Sequence, residues 1–131
     1  MKKSFTLIEL VMVMVILGIL AAVAIPTFFN LQDEAKEASV KGGLGGLRSG
    51  ISIWYAKTAA SGTAAWPTLA EMTQETNGVM ASGQIPDNPY TNSDSLVAGV
   101  VEAANSAAGW IYDVNTGRIW SSADETQSSG F

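Results

Sequence analysis

The sequence predicts an α+β fold in which one long N-terminal hydrophobic helix packs on a small antiparallel β-sheet head. Three stretches carry that expectation. Between residues 10 and 25 every residue except Gly18 is apolar. Further on, Val40, Leu44, Leu47, Ile51 and Trp54 recur at helical spacing and share one face. Near the C-terminus, "GWIYDVNTGRIWSS" sets two aromatic and β-branched runs on either side of a loop around Asn115 and Gly117, which predicts a hairpin.

Composition narrows the functions available to such a fold. The chain has 131 residues, a net charge of -5, and neither cysteine nor histidine. Thiol nucleophiles, disulfides, the commonest transition-metal ligand and the usual general base at neutral pH are therefore missing. Serine and threonine are plentiful but have no base to activate them, so no catalytic residue is assigned and no enzyme is expected. The seven basic residues, Lys2, Lys3, Lys36, Lys41, Arg48, Lys57 and Arg118, are scattered. No basic stripe forms, and nucleic acid is not an expected partner.

As a helix, residues 5–29 would extend about 37 Å at about 1.5 Å per residue. That suffices to cross about 30 Å of hydrocarbon. A cleaved secretory signal is the competing reading, since Ala22 and Ala24 form an Ala-x-Ala, but its apolar region would be shorter. Lys2 and Lys3 precede the run, while Asp33, Glu34, Lys36 and Glu37 follow it. The positive-inside bias thus keeps the first residues in the cytoplasm and sends everything after Pro26 across the membrane.

Glu9 stands out in this run, because a carboxylate at bilayer depth costs about 2.5–3.5 kcal/mol on insertion scales. Two explanations are open on physical grounds. Glu9 lies in the first helical turn, where the helix dipole and nearby water tolerate a negative charge. Alternatively, it awaits a cation brought by another molecule.

The residues around it add a resemblance. "SFTLIEL", behind a short basic leader and ahead of an uninterrupted apolar helix, resembles the class III signal of type IV pilins and type II secretion pseudopilins. The specific match covers about the first thirty residues; the head is similar in layout and phrase. The resemblance implies that a prepilin peptidase cuts between Ser4 and Phe5 and N-methylates the new amine of Phe5. It also implies that Glu9 neutralises the Phe5 amine of a neighbouring subunit during assembly. One departure stands in the motif: Ser4 occupies the position where the family favours Gly. Cleavage would remove Lys2 and Lys3, leaving five basic and twelve acidic side chains, or -7 before the new amine is counted.

The resulting organisation is a leader at residues 1–4, a transmembrane and filament-core helix half at 5–29, an amphipathic helix half at 30–58 and a loop-and-sheet head at 59–131. Pro26 lacks the N–H for its helical bond and crowds the preceding turn, so a kink or a locally melted segment is expected there. Beyond it, Val40, Leu44, Leu47, Ile51 and Trp54 form the face expected to dock on the head. Ala35, Ala38, Gly42, Gly45 and Ser49 fall nearly opposite and form the face expected to pack in a filament. The glycines of "KGGLGGLRSG" each disfavour a helix by about 0.8–1.0 kcal/mol, and alone the stretch would pass for a linker. Unbroken apolar phase through it argues for helix.

In the head, "TAASGTAAW" is expected to be a loop. "WPTLAEM" then begins a short helix, with Thr68 and Glu71 at capping-box spacing and Gly78 as its stop. "IPDNPYTNSD" is expected to be an irregular turn region. Trp110, Ile111 and Tyr112 are assigned to one hairpin strand, Ile119 and Trp120 to the other, and residues 97–101 to a further strand. The polar tail "SSADETQSSGF" is expected to be mobile apart from anchoring by Phe131. No metal site is assigned. Asp87, Asp94, Asp113, Asp124 and Glu125 are oxygen ligands that calcium could use, as the resemblance to major pseudopilins allows, yet they lack EF-hand spacing.

The pilin-like fold implied by the resemblance brings a function with it. Stored in the inner membrane with its N-terminus cytoplasmic and its head periplasmic, the protein would meet lipid, the peptidase, an inner-membrane assembly platform and its ATPase. It would then polymerise as a homo-oligomeric helical filament, a periplasmic pseudopilus or an extracellular pilus. The competing function is a monomeric, membrane-anchored periplasmic binding module. A minor, priming pseudopilin lies between the two.

Overall fold

The computed structural model describes residues 4–80, 83–99 and 107–122. Helix α1 runs from Leu7 to Ala60. The chain divides into two units, Met1–Ala35 and Lys36–Phe131.

In the first unit, the large apolar side chains are exposed, from 45% at Val11 to 84% at Phe5. Helix continues unbroken through Pro26, so the locally melted segment considered there does not occur. The proline forfeits one backbone bond, whereas unwinding a turn would strand several polar groups amid apolar side chains.

In the second unit, α1 supplies one wall of a hydrophobic core. Val40, Leu44, Leu47 and Ile51 are all at most 2% exposed and cluster with Met72, Ile85, Trp110, Tyr112 and Ile119. Trp54, assigned to the same face, is only half-buried, with the Lys57 ammonium 5.7 Å from its ring centroid. The "KGGLGGLRSG" stretch is helical. Its glycines divide by what they touch. A Cβ added at Gly43 would stand 3.1 Å from the Trp110 ring, and one at Gly50 would stand 3.0 Å from Val79 Cγ1. At Gly42, Gly45 and Gly46 it would meet nothing within 4 Å. Some of these residues thus let the head approach α1 closely, while others leave the helix surface bare.

Helix α1 extends two residues past Thr58, so the expected "TAASGTAAW" loop is shortened at its start. The short helix α2 spans Leu69–Met72 and has the expected capping box. Thr68 N and Oγ1 donate to Glu71 Oε2 at 2.7 and 2.8 Å, and Glu71 N donates to Thr68 Oγ1 at 3.4 Å. Gly78 does not stop it; the helix ends at Met72 with Thr73 as its cap. Gly78 serves a tight turn instead: Val79 N donates to Glu71 O at 3.0 Å, and a Cβ on Gly78 would lie 2.2 Å from Gln74 O.

Three strands follow, β1 (Leu96–Ala98), β2 (Trp110–Asp113) and β3 (Arg118–Ser121), in the order β1-β2-β3. The hairpin β2–β3 is antiparallel, with Tyr112 opposite Ile119 and Asp113 opposite Arg118. Gly117 closes its loop at φ 69, which Gly adopts without steric cost. The α+β class holds, but one pairing corrects the expected antiparallel sheet: β1 lies parallel to β2, Leu96 opposite Trp110. A parallel neighbour needs a longer connection than a hairpin turn, and residues 99–109 supply it. Of the strand expected at 97–101, Val97 and Ala98 belong to β1, Gly99 follows it, and Val100 and Val101 lie outside the described residues.

A buried asparagine ties these pieces together. Asn88, fully buried, donates from Nδ2 to Gly109 O and Ser121 Oγ, both at 2.7 Å, and accepts from Tyr90 N at 3.0 Å. The turn region "IPDNPYTNSD" is therefore clamped to the ends of β2 and β3. Ser121 and Ser122, expected to begin a mobile tail, are buried instead, and the Ser122 hydroxyl donates to Ala108 O. The remainder of that tail, with Phe131, lies outside the described residues.

Candidate functional site

The N-terminal segment is the first candidate. Ser4, Phe5 and Thr6 precede the helix and are exposed, so the expected scissile bond between Ser4 and Phe5 is open to approach. Glu9 is the third residue of α1. Thr6 N and Thr6 Oγ1 donate to Glu9 Oε2 at 2.9 and 2.8 Å, and Glu9 N donates to Thr6 Oγ1 at 3.3 Å. This reciprocal arrangement is a capping box, satisfying donors that the first turn would otherwise leave orphaned. Thr6 and Glu9 have the same spacing as Thr68 and Glu71, a signal sufficient to find the cap from sequence alone.

The cap also bears on the charge of Glu9. Both bonds fall on Oε2, and among the described residues Oε1 accepts none. An ionised carboxylate has about four lone-pair sites. The carboxylate can therefore begin its own helix and still receive a cation from outside.

The second candidate is the exposed side of α1 after residue 35. Ala35, Ala38, Gly42, Gly45 and Ser49 are all exposed, and Ile53, further along the helix, is 66% exposed. Lys41 and Glu37 form an ion pair of 2.7 Å between i and i+4 positions. Among the described residues, a Cβ at Gly42 or Gly45 would meet nothing within 4 Å, so this side has room for another helix. The opposite side, from Val40 to Ile51, is consumed by the core.

In the head, Tyr112 and Asp113 have environments that perturb titration. Burial pushes the Tyr112 hydroxyl up to about 12, with further contributions from Asp113 and Glu71, and the hydroxyl donates to Pro67 O at 2.8 Å. Asp113 shifts the other way, below its ordinary value, because Thr116 Oγ1 and Asn115 N donate to its carboxylate at 2.7 and 2.9 Å. That carboxylate organises the hairpin loop. Among the described residues no three acidic side chains gather as metal ligands. Asp87 and Asp94 lie within the described chain, whereas Asp124 and Glu125 lie outside it.

Comparison with known proteins adds to this geometry. Residues 1–25 match the prokaryotic N-terminal methylation motif. The type IV narrow pilus major component PilA5 of Thermus thermophilus is 39% identical over 93 residues, covering 71% of this chain and 72% of that protein. Fimbrial protein Q of Moraxella bovis is 30% identical over 106 residues, covering 78% of this chain and 68% of that protein. The type II secretion system core protein G of Pseudomonas aeruginosa is 38% identical over 53 residues, covering 40% of this chain and 37% of that protein. No solved structure matches the chain.

A capped, exposed apolar helix carrying this motif and joined to a small α+β head defines the class of pilin-like filament subunits. The chain belongs to the type IV pilin family. Proteins of that family are structural subunits, not enzymes.

Proposed function

We propose that this protein is made as a prepilin in the inner membrane, cut between Ser4 and Phe5, N-methylated at Phe5, and polymerised through its N-terminal helix. The observation that carries the proposal is the exposure of the whole apolar run from Leu7 to Leu31 on a capped helix. Among the described residues, α1 is the helix long and apolar enough to cross a membrane. An anchor alone needs no N-terminal methylation motif, yet residues 1–25 match one.

Each feature has a place in that sequence of events. Lipid covers the apolar run before assembly, and apolar surfaces of other subunits cover it afterwards. The amine of Phe5, created by cleavage, meets Glu9 of a neighbour at the carboxylate oxygen that the cap leaves open. The bare side of α1 at Gly42 and Gly45 lets helices approach closely, as small residues do where helices pack in membranes. The prepilin peptidase, the assembly platform and its ATPase would be the partners in processing and extraction. Both a surface pilus and a short secretion pseudopilus are built this way, and the longer coverage of pilins than of the secretion protein favours the pilus.

Mass spectrometry of the membrane-extracted protein tests the processing step. A chain beginning at methylated Phe5 is expected. An intact Met1, or a chain beginning after Ala24, would overturn it.

A further inference from the structure

A cleft lies where the C-terminal half of α1 meets the head. It has a volume of about 440 Å3 and lies between α1 and β3, lined among others by Arg48, Ser52, Trp66, Thr116, Arg118 and Trp120. That is within the range of small-molecule sites, about 300–1,000 Å3. Only five basic side chains lie beyond the expected cut, in a chain of net negative charge, and two of them line this one cleft.

The donors and acceptors around the cleft are sorted by kind. Arg48 Nη2 donates to Ile119 O at 3.3 Å, which ties the guanidinium to the strand beside it. Arg118 is exposed on β3. Guanidinium groups are donors only and match carboxylates in a planar, two-pronged manner. The two hydroxyls have already placed their protons elsewhere: Ser52 Oγ donates to Arg48 O at 2.8 Å and Thr116 Oγ1 to Asp113 Oδ2 at 2.7 Å. With those protons engaged, each hydroxyl oxygen keeps lone pairs that can accept from a ligand. Trp66 is held rigidly, stacked on Tyr55 with centroids 4.2 Å apart, while a Cβ on Gly117 would stand 2.3 Å from its ring. Trp120 is half-buried at the cleft and supplies apolar surface.

A ligand complementary to this arrangement carries a carboxylate, hydroxyl groups able to donate, and an apolar ring face. We propose that the cleft binds a uronic acid residue of an acidic polysaccharide, with Arg118 taking the carboxylate, Arg48 adding positive charge to the wall, and the Ser52 and Thr116 oxygens accepting from sugar hydroxyls. Phosphate fits less well, because a phosphodiester offers no donor to those two oxygens. Duplex nucleic acid fits least, because it needs an extended basic surface that this acidic chain lacks. The cleft is formed within the single chain by α1 and β3, so binding can be measured on the monomer whether or not cleavage and assembly occur.

The test uses the full chain in detergent micelles, titrated with digalacturonic acid while tryptophan fluorescence is recorded. A saturable change is expected with digalacturonate and none with the neutral galactose disaccharide. Arg118→Gln, at an exposed position, should weaken binding tenfold or more with an unchanged circular dichroism spectrum, and Arg118→Lys should recover part of the loss. Ser52→Phe, which fills the cleft from an exposed helix position, should abolish binding with both arginines retained. Absence of a saturable change, equal binding by Arg118→Gln, or tighter binding of phosphate or a short DNA duplex would overturn the proposal.

Discussion

Adjacent glycines in α1 should respond oppositely to the same substitution. Gly42→Ala adds a methyl group where nothing lies within 4 Å, so it should gain the full helix-propensity difference of about 0.8–1.0 kcal/mol. Gly43→Ala adds it 3.1 and 3.2 Å from two carbons of the Trp110 ring and 3.4 Å from Pro86 Cγ. Trp110 has little freedom to yield, being fully buried with its Nε1 donating to Pro86 O at 2.7 Å. Overpacking of a filled core costs about 1–3 kcal/mol, which offsets the propensity gain and leaves a net loss of up to about 2 kcal/mol. For a domain of this size, about 1 kcal/mol moves the melting temperature by about 4–8 °C. Thermal unfolding of the detergent-solubilised monomer, followed by near-ultraviolet circular dichroism, should show Gly42→Ala melting higher and Gly43→Ala melting no higher than the parent. If Gly42→Ala melts lower, or both variants melt higher by the same amount, the division of the glycines between head and open surface is wrong.

Two further predictions concern the head. Asn88→Ala removes three hydrogen bonds, two of them buried and one partly so, each worth about 0.5–1.5 kcal/mol net, and should destabilise the monomer by about 2–4 kcal/mol in denaturant titration. Asn88→Asp should be worse still, because a carboxylate would face Gly109 O without a proton to donate; tolerance of both changes would refute the clamp. Tyr112 keeps its proton up to about pH 12 in the folded chain, whereas an ordinary tyrosine releases it near 10.0. The folded state binds more protons between those values, so this contribution is fully present below about pH 10 and declines as pH rises towards 12. Tyr112→Phe should flatten that decline in alkaline unfolding curves, and an unchanged slope would contradict the assignment.

Local patterns explain why much of this architecture was readable and where reading stopped. The face from Val40 to Ile51, the Thr68–Glu71 cap and the β2–β3 hairpin all follow from side-chain periodicity or turn chemistry within a few residues of chain. The parallel pairing of β1 with β2 joins residues separated by an eleven-residue connection, and no local periodicity encodes the direction in which a strand returns. The role of Asn88 is not encoded locally, because "IPDNPYTNSD" has the composition of a solvent-facing turn while the partners of Asn88, Gly109 and Ser121, are remote in sequence. Gly78 has the composition of a helix stop, but a close approach to Gln74 O is what demands it. At the N-terminus the reverse holds. Thr6 and Glu9 carry a legible capping signal, overshadowed by the question of what a carboxylate does in an apolar run.

That carboxylate offers the most direct test of the account. Glu9→Val keeps the helix apolar, leaves the backbone bond from residue 9 to Thr6 Oγ1, and removes the carboxylate half of the cap together with the external acceptor, so membrane insertion should persist while assembly fails. Electron microscopy of sheared surface or periplasmic material, from cells producing equal membrane levels of parent and variant, measures the outcome. The account predicts filaments from the parent and few or none from Glu9→Val; filaments at parental yield from the variant, or none from the parent, would contradict it.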